Sequence, residues 1–180
     1  MVRDQVQGRE LFSVGLKSSQ QKFLSVPLRV LRSYFETDSR KTTYSIIPIG
    51  DVHIGAAACD EERLAYMVRR IEDDDNARWI GMGDYCDFIN MRDPRFSAGT
   101  LAPWIGISEL SDLAKAQRDH FLDMISPIAS KCLGLVEGNH ETSIHKFYER
   151  DIYSEIVTGI KEAGGFRADL GRHGRPALCD

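Results

Sequence analysis

Three times along this chain an apolar run ends in a glycine that is followed at once by acids, amides or imidazoles. Gly50-Asp51-Val52-His53 follows residues 44–49, Gly83-Asp84-Tyr85-Cys86-Asp87 follows residues 78–82, and Gly138-Asn139-His140-Glu141 follows residues 132–136. Helical patterns lie between them. Strand, helix, strand, helix, strand is the order that gives parallel pairing through right-handed crossovers. In a parallel sheet the loops after successive strands emerge at one edge, where α/β proteins bind their ligands. Residues spread over about ninety positions are therefore expected at one point.

Residues 44–49, Tyr-Ser-Ile-Ile-Pro-Ile, are mostly apolar and β-branched, which predicts a strand buried on both faces with Pro48 near its end. Asp60 is placed to cap a helix that Glu61 and Glu62 open, with Leu64, Met67, Val68 and Ile71 at helical spacing and the solvated run Asp73-Asp74-Asp75-Asn76 at its end. A loop holding Pro94, Gly99, Pro103 and Gly106 leads to a helix from about Ser108, with a stripe of Leu110, Leu113, Ala114, Phe121, Leu122 and Ile125, kinked or stopped by Pro127. A further helix is expected over residues 142–163, closed by Gly164-Gly165. Three domains of the chain are read: an arm over 1–43, an α/β domain over 44–165 and an irregular tail over 166–180.

The arm has an amphipathic stretch, Phe23-Leu24, Leu28, Val30-Leu31 and Tyr34-Phe35, interrupted by Pro27. Whether it docks on the body is open at this level. It is basic, with eight Lys/Arg against four Asp/Glu, whereas the rest holds fifteen against twenty-three. An acidic body argues against a broad nucleic-acid groove, and the leader reads as a solvated arm. Cys59, Cys86, Cys132 and Cys179 form no Cys-x-x-Cys pair, which fits reduced thiols in a cytoplasm. No run is long enough to span a bilayer and no signal-peptide pattern opens the chain, so a cytoplasmic protein is expected.

The three clusters carry the chemistry. On an extended strand end Asp51 and His53, two residues apart, would point the same way and reach one cation. A carboxylate with an imidazole suits Mn, Fe or Zn better than Mg or Ca. Asp84 has two oxygens and can bridge two ions, and Asn139 offers a neutral oxygen. This order of blocks, Asp-x-His, Gly-Asp-x-x-Asp and Gly-Asn-His-Glu, resembles the calcineurin-like metallophosphoesterases. The family's later blocks, a lone His and a Gly-His-x-His, are not present, and the second half of the fold with its second sheet is expected to be missing, through truncation ahead of completion by a partner or second copy or an ancestry kept without full catalysis.

The resemblance implies a partial calcineurin-like α/β fold and a metal-dependent phosphoesterase. Its metal ligands would be Asp51, His53, Asp84 and Asn139. His140 would protonate the leaving oxygen, and the Asp87 carboxylate would hold that imidazole in the required tautomer. The implied cofactors are two divalent ions, and the implied substrates are phosphomonoesters, phosphodiesters or nucleic-acid phosphate. A second function of another class also fits the missing histidines: a non-catalytic binding or assembly module that keeps a remnant metal site. An uncovered sheet face would favour self-association.

Other residues read as structural. His120 and His145 are expected at the surface, and Cys86 as a packed thiol. Arg95, Phe96 and Trp104 belong to a loop that is expected to pack its aromatics, although they are also suited to stacking on a base or sugar. His173 sits in a Gly/Arg-rich tail without a strand before it.

Overall fold

The computed structural model describes residues 33–37, 39–89, 91 and 93–164. The tail over 166–180, Cys179 and His173 with it, lies outside the described residues, as does most of the amphipathic arm.

Three strands form a parallel sheet in the order β1-β2-β3. β1 is Ser45–Ile49, β2 is Ala77–Gly81 and β3 is Cys132–Leu135. Helix α1, Glu61–Asp73, connects the first pair, and α2, Leu113–Ile125, lies between β2 and β3. Two further helices follow, α3 over Asn139–Tyr148 and α4 over Ile152–Glu162. The expected α/β alternation and parallel pairing are present.

One core serves the sheet and the helices. In β2, Ala77 and Trp79 point into it, and from β3 Cys132 and Leu135 join Val68, Ile71, Phe121, Ile125, Ile156 and Ile160 of the helices. Two buried polar groups there find backbone partners: the Trp79 indole donates to the Ile128 carbonyl at 2.8 Å and the Tyr153 hydroxyl to the Leu135 carbonyl at 2.7 Å. Lys131 closes α1 from outside, its ammonium donating to the carbonyls of Ile71 (2.6 Å), Glu72 (2.8 Å) and Asp74 (2.8 Å), where the last turn leaves its acceptors unpaired.

Three sequence expectations are corrected. β1 is not buried on both faces: only Ile49 is buried, and Ile46 is 57% exposed. It is an edge strand and the helices cover one side of it, which also explains why Pro48 is tolerated. The helix expected over 142–163 is two helices. Glu149 adopts the left-handed conformation (φ 54°) and closes α3, and the Asp151 side chain accepts from the Ser154 N–H to open α4. Arg150, between them, pairs with Asp112 (2.7 Å) and Glu155 (2.8 Å), which fixes the bend against α2. Finally, α3 begins at Asn139, three residues earlier than expected, so that the third Gly-led cluster is itself the first turn of a helix. Pro127 stops α2 as expected, opening a 3₁₀ turn over Ser126–Lys131.

Candidate metal centre

The loops after β1 and β2 stay paired beyond the strands. Asp51 and Val52 donate through their N–H groups to the carbonyls of Gly83 (3.0 Å) and Asp84 (2.9 Å), His53 donates to Asp84 (3.2 Å), and Ile54 to Tyr85 (3.1 Å). Two clusters that are thirty residues apart in sequence thus run side by side. Asp51, His53 and Asp84 all have positive φ, 55°, 56° and 53°. This is a correction: Asp51 and His53 were expected to share a side through extended alternation, but both are turned left-handed. Acids and imidazoles tolerate that region better than most side chains, at a cost of about 1 kcal/mol or more each, and such strain gathers at functional sites.

The glycines explain why the clusters are Gly-led. A Cβ on Gly138 would lie 2.2 Å from the Asp84 nitrogen and 2.3 Å from Asp84 Oδ1. One on Gly83, whose φ is +88°, would lie 2.7 Å from the backbone of Gly138. Only hydrogen fits between these loops. Gly138→Ala is therefore expected to push the Asp84 loop off the start of α3, costing about 1–3 kcal/mol as overpacking does. It should also weaken Mn binding, read by calorimetry beside a thermal melt; unchanged binding and melting would refute the close approach.

The side chains converge where these loops meet α3. His53 Nε2 lies 2.9 Å from Asp51 Oδ1, and its Nδ1 lies 3.5 Å from Asp87 Oδ1. The His53 and His140 rings meet edge to face with centroids 4.5 Å apart. Asp84 Oδ1 accepts the His140 N–H at 2.9 Å, capping the N-terminus of α3. The His140 Nδ1 is bonded to the Asp87 main-chain carbonyl, and the Asp87 carboxylate stands 3.9 Å away. The imidazole is thus oriented by the carbonyl of Asp87, whereas its carboxylate was the expected partner. A carbonyl only accepts, so Nδ1 carries hydrogen and Nε2 is left to take or give a proton.

Beneath them lies Glu141, which is fully buried. Its Oε2 accepts the N–H of Asp84 (3.0 Å) and of Gly138 (2.8 Å), and its Oε1 accepts the N–H of Tyr85 (2.9 Å). Burial pushes its carboxyl above the ordinary value, and the three N–H groups pull it back. The sequence reading gave Glu141 no role. The available signal was its place at the third position of a helix opened by Gly138, where a Glu reaches back to the cap.

Asp51, His53 and Asp84 each offer a ligand atom, all within 4.8 Å of one another. Bonds of about 2.0–2.2 Å to one ion would place such atoms roughly 3–4.4 Å apart, close to the spacing found here. The donors, two carboxylates and an imidazole, fit a divalent transition ion. His53, Asp87 and His140 also cluster at this spacing. In that set the His140 Nδ1 is bonded to the Asp87 carbonyl, which leaves its Nε2 as the free ring nitrogen. Asn139 stands exposed at the first position of α3, beside these residues in sequence.

Around the centre, Cys86 is buried and its thiol donates to the Gln117 carbonyl at 3.4 Å; burial raises it well above the usual thiol value, which leaves it inert. The Arg95 guanidinium beside Asp93 lowers that carboxyl to about 2. His120 was expected at the surface and is half-buried. It stacks on Trp104 with centroids 4.3 Å apart, and the two rings bond to the two oxygens of Glu61 at 2.9 Å and 2.7 Å. His145 is exposed, as expected.

No family model, characterised protein or solved structure matches the chain. The fold and site therefore define the class by themselves: an α/β domain with a three-stranded parallel sheet that gathers carboxylates and imidazoles at its carboxyl edge. Among the described residues no helix is long and apolar enough to cross a membrane.

Proposed function

We propose that this chain is a metal-dependent phosphoesterase of the calcineurin-like kind, holding a divalent ion such as Mn, Fe or Zn. The observation that supports it is the meeting of Asp51, His53 and Asp84 with His140 in the left-handed loops after β1 and β2 and the first turn of α3. Bound there, a divalent ion would supply an activated water and a positive charge facing phosphoryl oxygens.

The chain's own residues do the rest. Asp51, His53 and Asp84 would hold the ion, and Asn139 would offer a second ion a neutral oxygen that adds no negative charge. His140, fixed through Nδ1, gives the proton on Nε2 to the departing oxygen. The Asp87 carboxylate lies between the two imidazoles, 3.5 Å from His53 Nδ1 and 3.9 Å from His140 Nδ1.

A leaving group that needs a proton will need His140, and a nitrophenolate will not. His140→Ala is accordingly expected to lose roughly 10²-fold or more in turnover of an alkyl phosphate ester, and far less on bis-nitrophenyl phosphate, both assayed with Mn. Equal losses would assign His140 to structure instead. No turnover of either ester by the parent protein would overturn the phosphoesterase reading and favour a metal-binding module.

A further inference from the structure

Behind His140 stands a peptide group with a partner on each side. The Asp87 carbonyl that takes the His140 Nδ1 hydrogen is joined to the Phe88 N–H, and that N–H donates to the Gln117 side-chain oxygen at 2.8 Å. Among the described residues no peptide bond is cis, so the carbonyl and N–H of this unit point opposite ways. Gln117, the Phe88 N–H, the Asp87 carbonyl and His140 therefore form one line of hydrogen bonds, running from the middle of α2 to the imidazole. Bonds that share a peptide polarise one another, so a firm acceptor at one end strengthens the carbonyl at the other.

Two features show that this line is held at a cost. Phe88 is buried and left-handed, with φ 51°, a conformation that is rare for a bulky aromatic and persists only where its surroundings over-determine it. The second feature is Gln117 itself. It is fully buried, yet its Nε2 has no hydrogen-bond partner among the described residues, and a Cβ on Gly55 would lie 2.2 Å from that nitrogen. Turning the amide over would set its NH2 group against the Phe88 N–H, so the Phe88 bond fixes which way it faces. A buried amide that leaves a donor unpaired destabilises the core, whereas an apolar side chain of similar size would not. What the glutamine supplies is its oxygen on Phe88. Its main chain grips the same segment a second time, the Gln117 carbonyl accepting the Cys86 thiol at 3.4 Å.

We propose that Gln117 is a positioning residue for His140: by holding the Phe88 N–H it aims the Asp87 carbonyl, which keeps the imidazole in its Nδ1–H form and its Nε2 free. The catalytic consequence rests on the reading of His140 as proton donor. The tautomer is a property of the chain alone.

Nitrogen–proton correlation NMR reads that tautomer in the full chain labelled at histidine, treated with a chelator and held at about pH 9 so that the imidazoles are neutral. The His140 signals are those absent from His140→Ala. In the parent, His140 should carry its hydrogen on Nδ1, and the Phe88 amide should exchange slowly. Gln117→Met, which keeps the length and removes the acceptor, should move His140 toward the Nε2–H form, and Gln117→Glu, which restores an oxygen, should return it. With Mn and an alkyl phosphate ester, Gln117→Met should lose roughly 10–100-fold in turnover, as loss of an orienting partner does, and much less on bis-nitrophenyl phosphate. An Nε2–H tautomer at His140 in the parent would overturn the inference, and so would a folded Met variant that keeps the Nδ1–H form. Equal losses on the two esters would reduce Gln117 to packing. A parent that turns over neither ester while its tautomers respond as stated would remove the phosphoesterase reading and leave the hold of Gln117 on His140 standing.

Discussion

Asp84→Asn is expected to lower Mn affinity by at least ~10²-fold and to remove any metal-dependent turnover, while the far-UV circular dichroism stays close to that of the parent. Residues that merely orient ligands typically contribute 10–100-fold to metal affinity, and a direct carboxylate ligand should cost no less. The substitution is clean because an amide oxygen can still accept the His140 N–H that Asp84 Oδ1 takes at 2.9 Å, so the cap of α3 survives while the charge is lost. The parent should titrate with one tight equivalent, since Asp51, His53 and Asp84 complete one set of ligands whereas Asp84 and Asn139 offer a second ion only two oxygens. Equal Mn content in parent and variant would remove Asp84 from the site. Two tight equivalents in the parent would mean that further ligands complete a second position.

Glu141→Ala should produce the largest loss of stability of any single change around the site. It would leave without an acceptor the buried N–H groups of Tyr85 and Gly138 and the part-buried N–H of Asp84. Each orphaned donor costs about 1–3 kcal/mol, so the sum is about 3–9 kcal/mol against a total domain stability of about 5–15. A fall in melting temperature of about 10–25 °C follows for a domain of this size. Glu141→Gln separates acceptor loss from cavity formation. Its remaining oxygen can serve the two donors at Oε2, leaving only the Tyr85 N–H unmet, for about 1–3 kcal/mol. A Gln variant as unstable as the Ala variant, or an Ala variant that melts like the parent, would contradict the assignment of Glu141 as the joint between the β2 loop and α3.

Much of the arrangement was legible in the residues. Hydrophobic runs of strand length, a capped helix after the first and a stripe before the third imply parallel strands, and parallel strands bring their following loops to one edge whatever the details. Asp60 caps α1 as its position suggests, with its carboxylate 2.9 Å from the Arg63 nitrogen, because a cap is a contact between neighbours in sequence. The break between α3 and α4 was not legible. Nothing in Tyr148-Glu149-Arg150-Asp151 forbids a helix, and the bend is held by Arg150 reaching Asp112, thirty-eight residues earlier.

Burial and conformation at the site belong to the same second category. The sequence by itself determined that Asp51, His53, Asp84, Asp87 and His140 would stand near one another, since alternating strands and helices imply parallel strands whose following loops share one edge. Only the tertiary structure decided that Asp51, His53 and Asp84 are left-handed, that His140 is fixed by the Asp87 carbonyl, that Glu141 ties the loops together and that β1 is an edge strand. Left-handed backbone costs each residue free energy taken alone, so no local preference announces it. It persists because hydrogen bonds from the β1 loop to the carbonyls of Gly83, Asp84 and Tyr85 and the Gly138 contact leave the chain no other path, and those partners are brought within reach only when the whole sheet has formed.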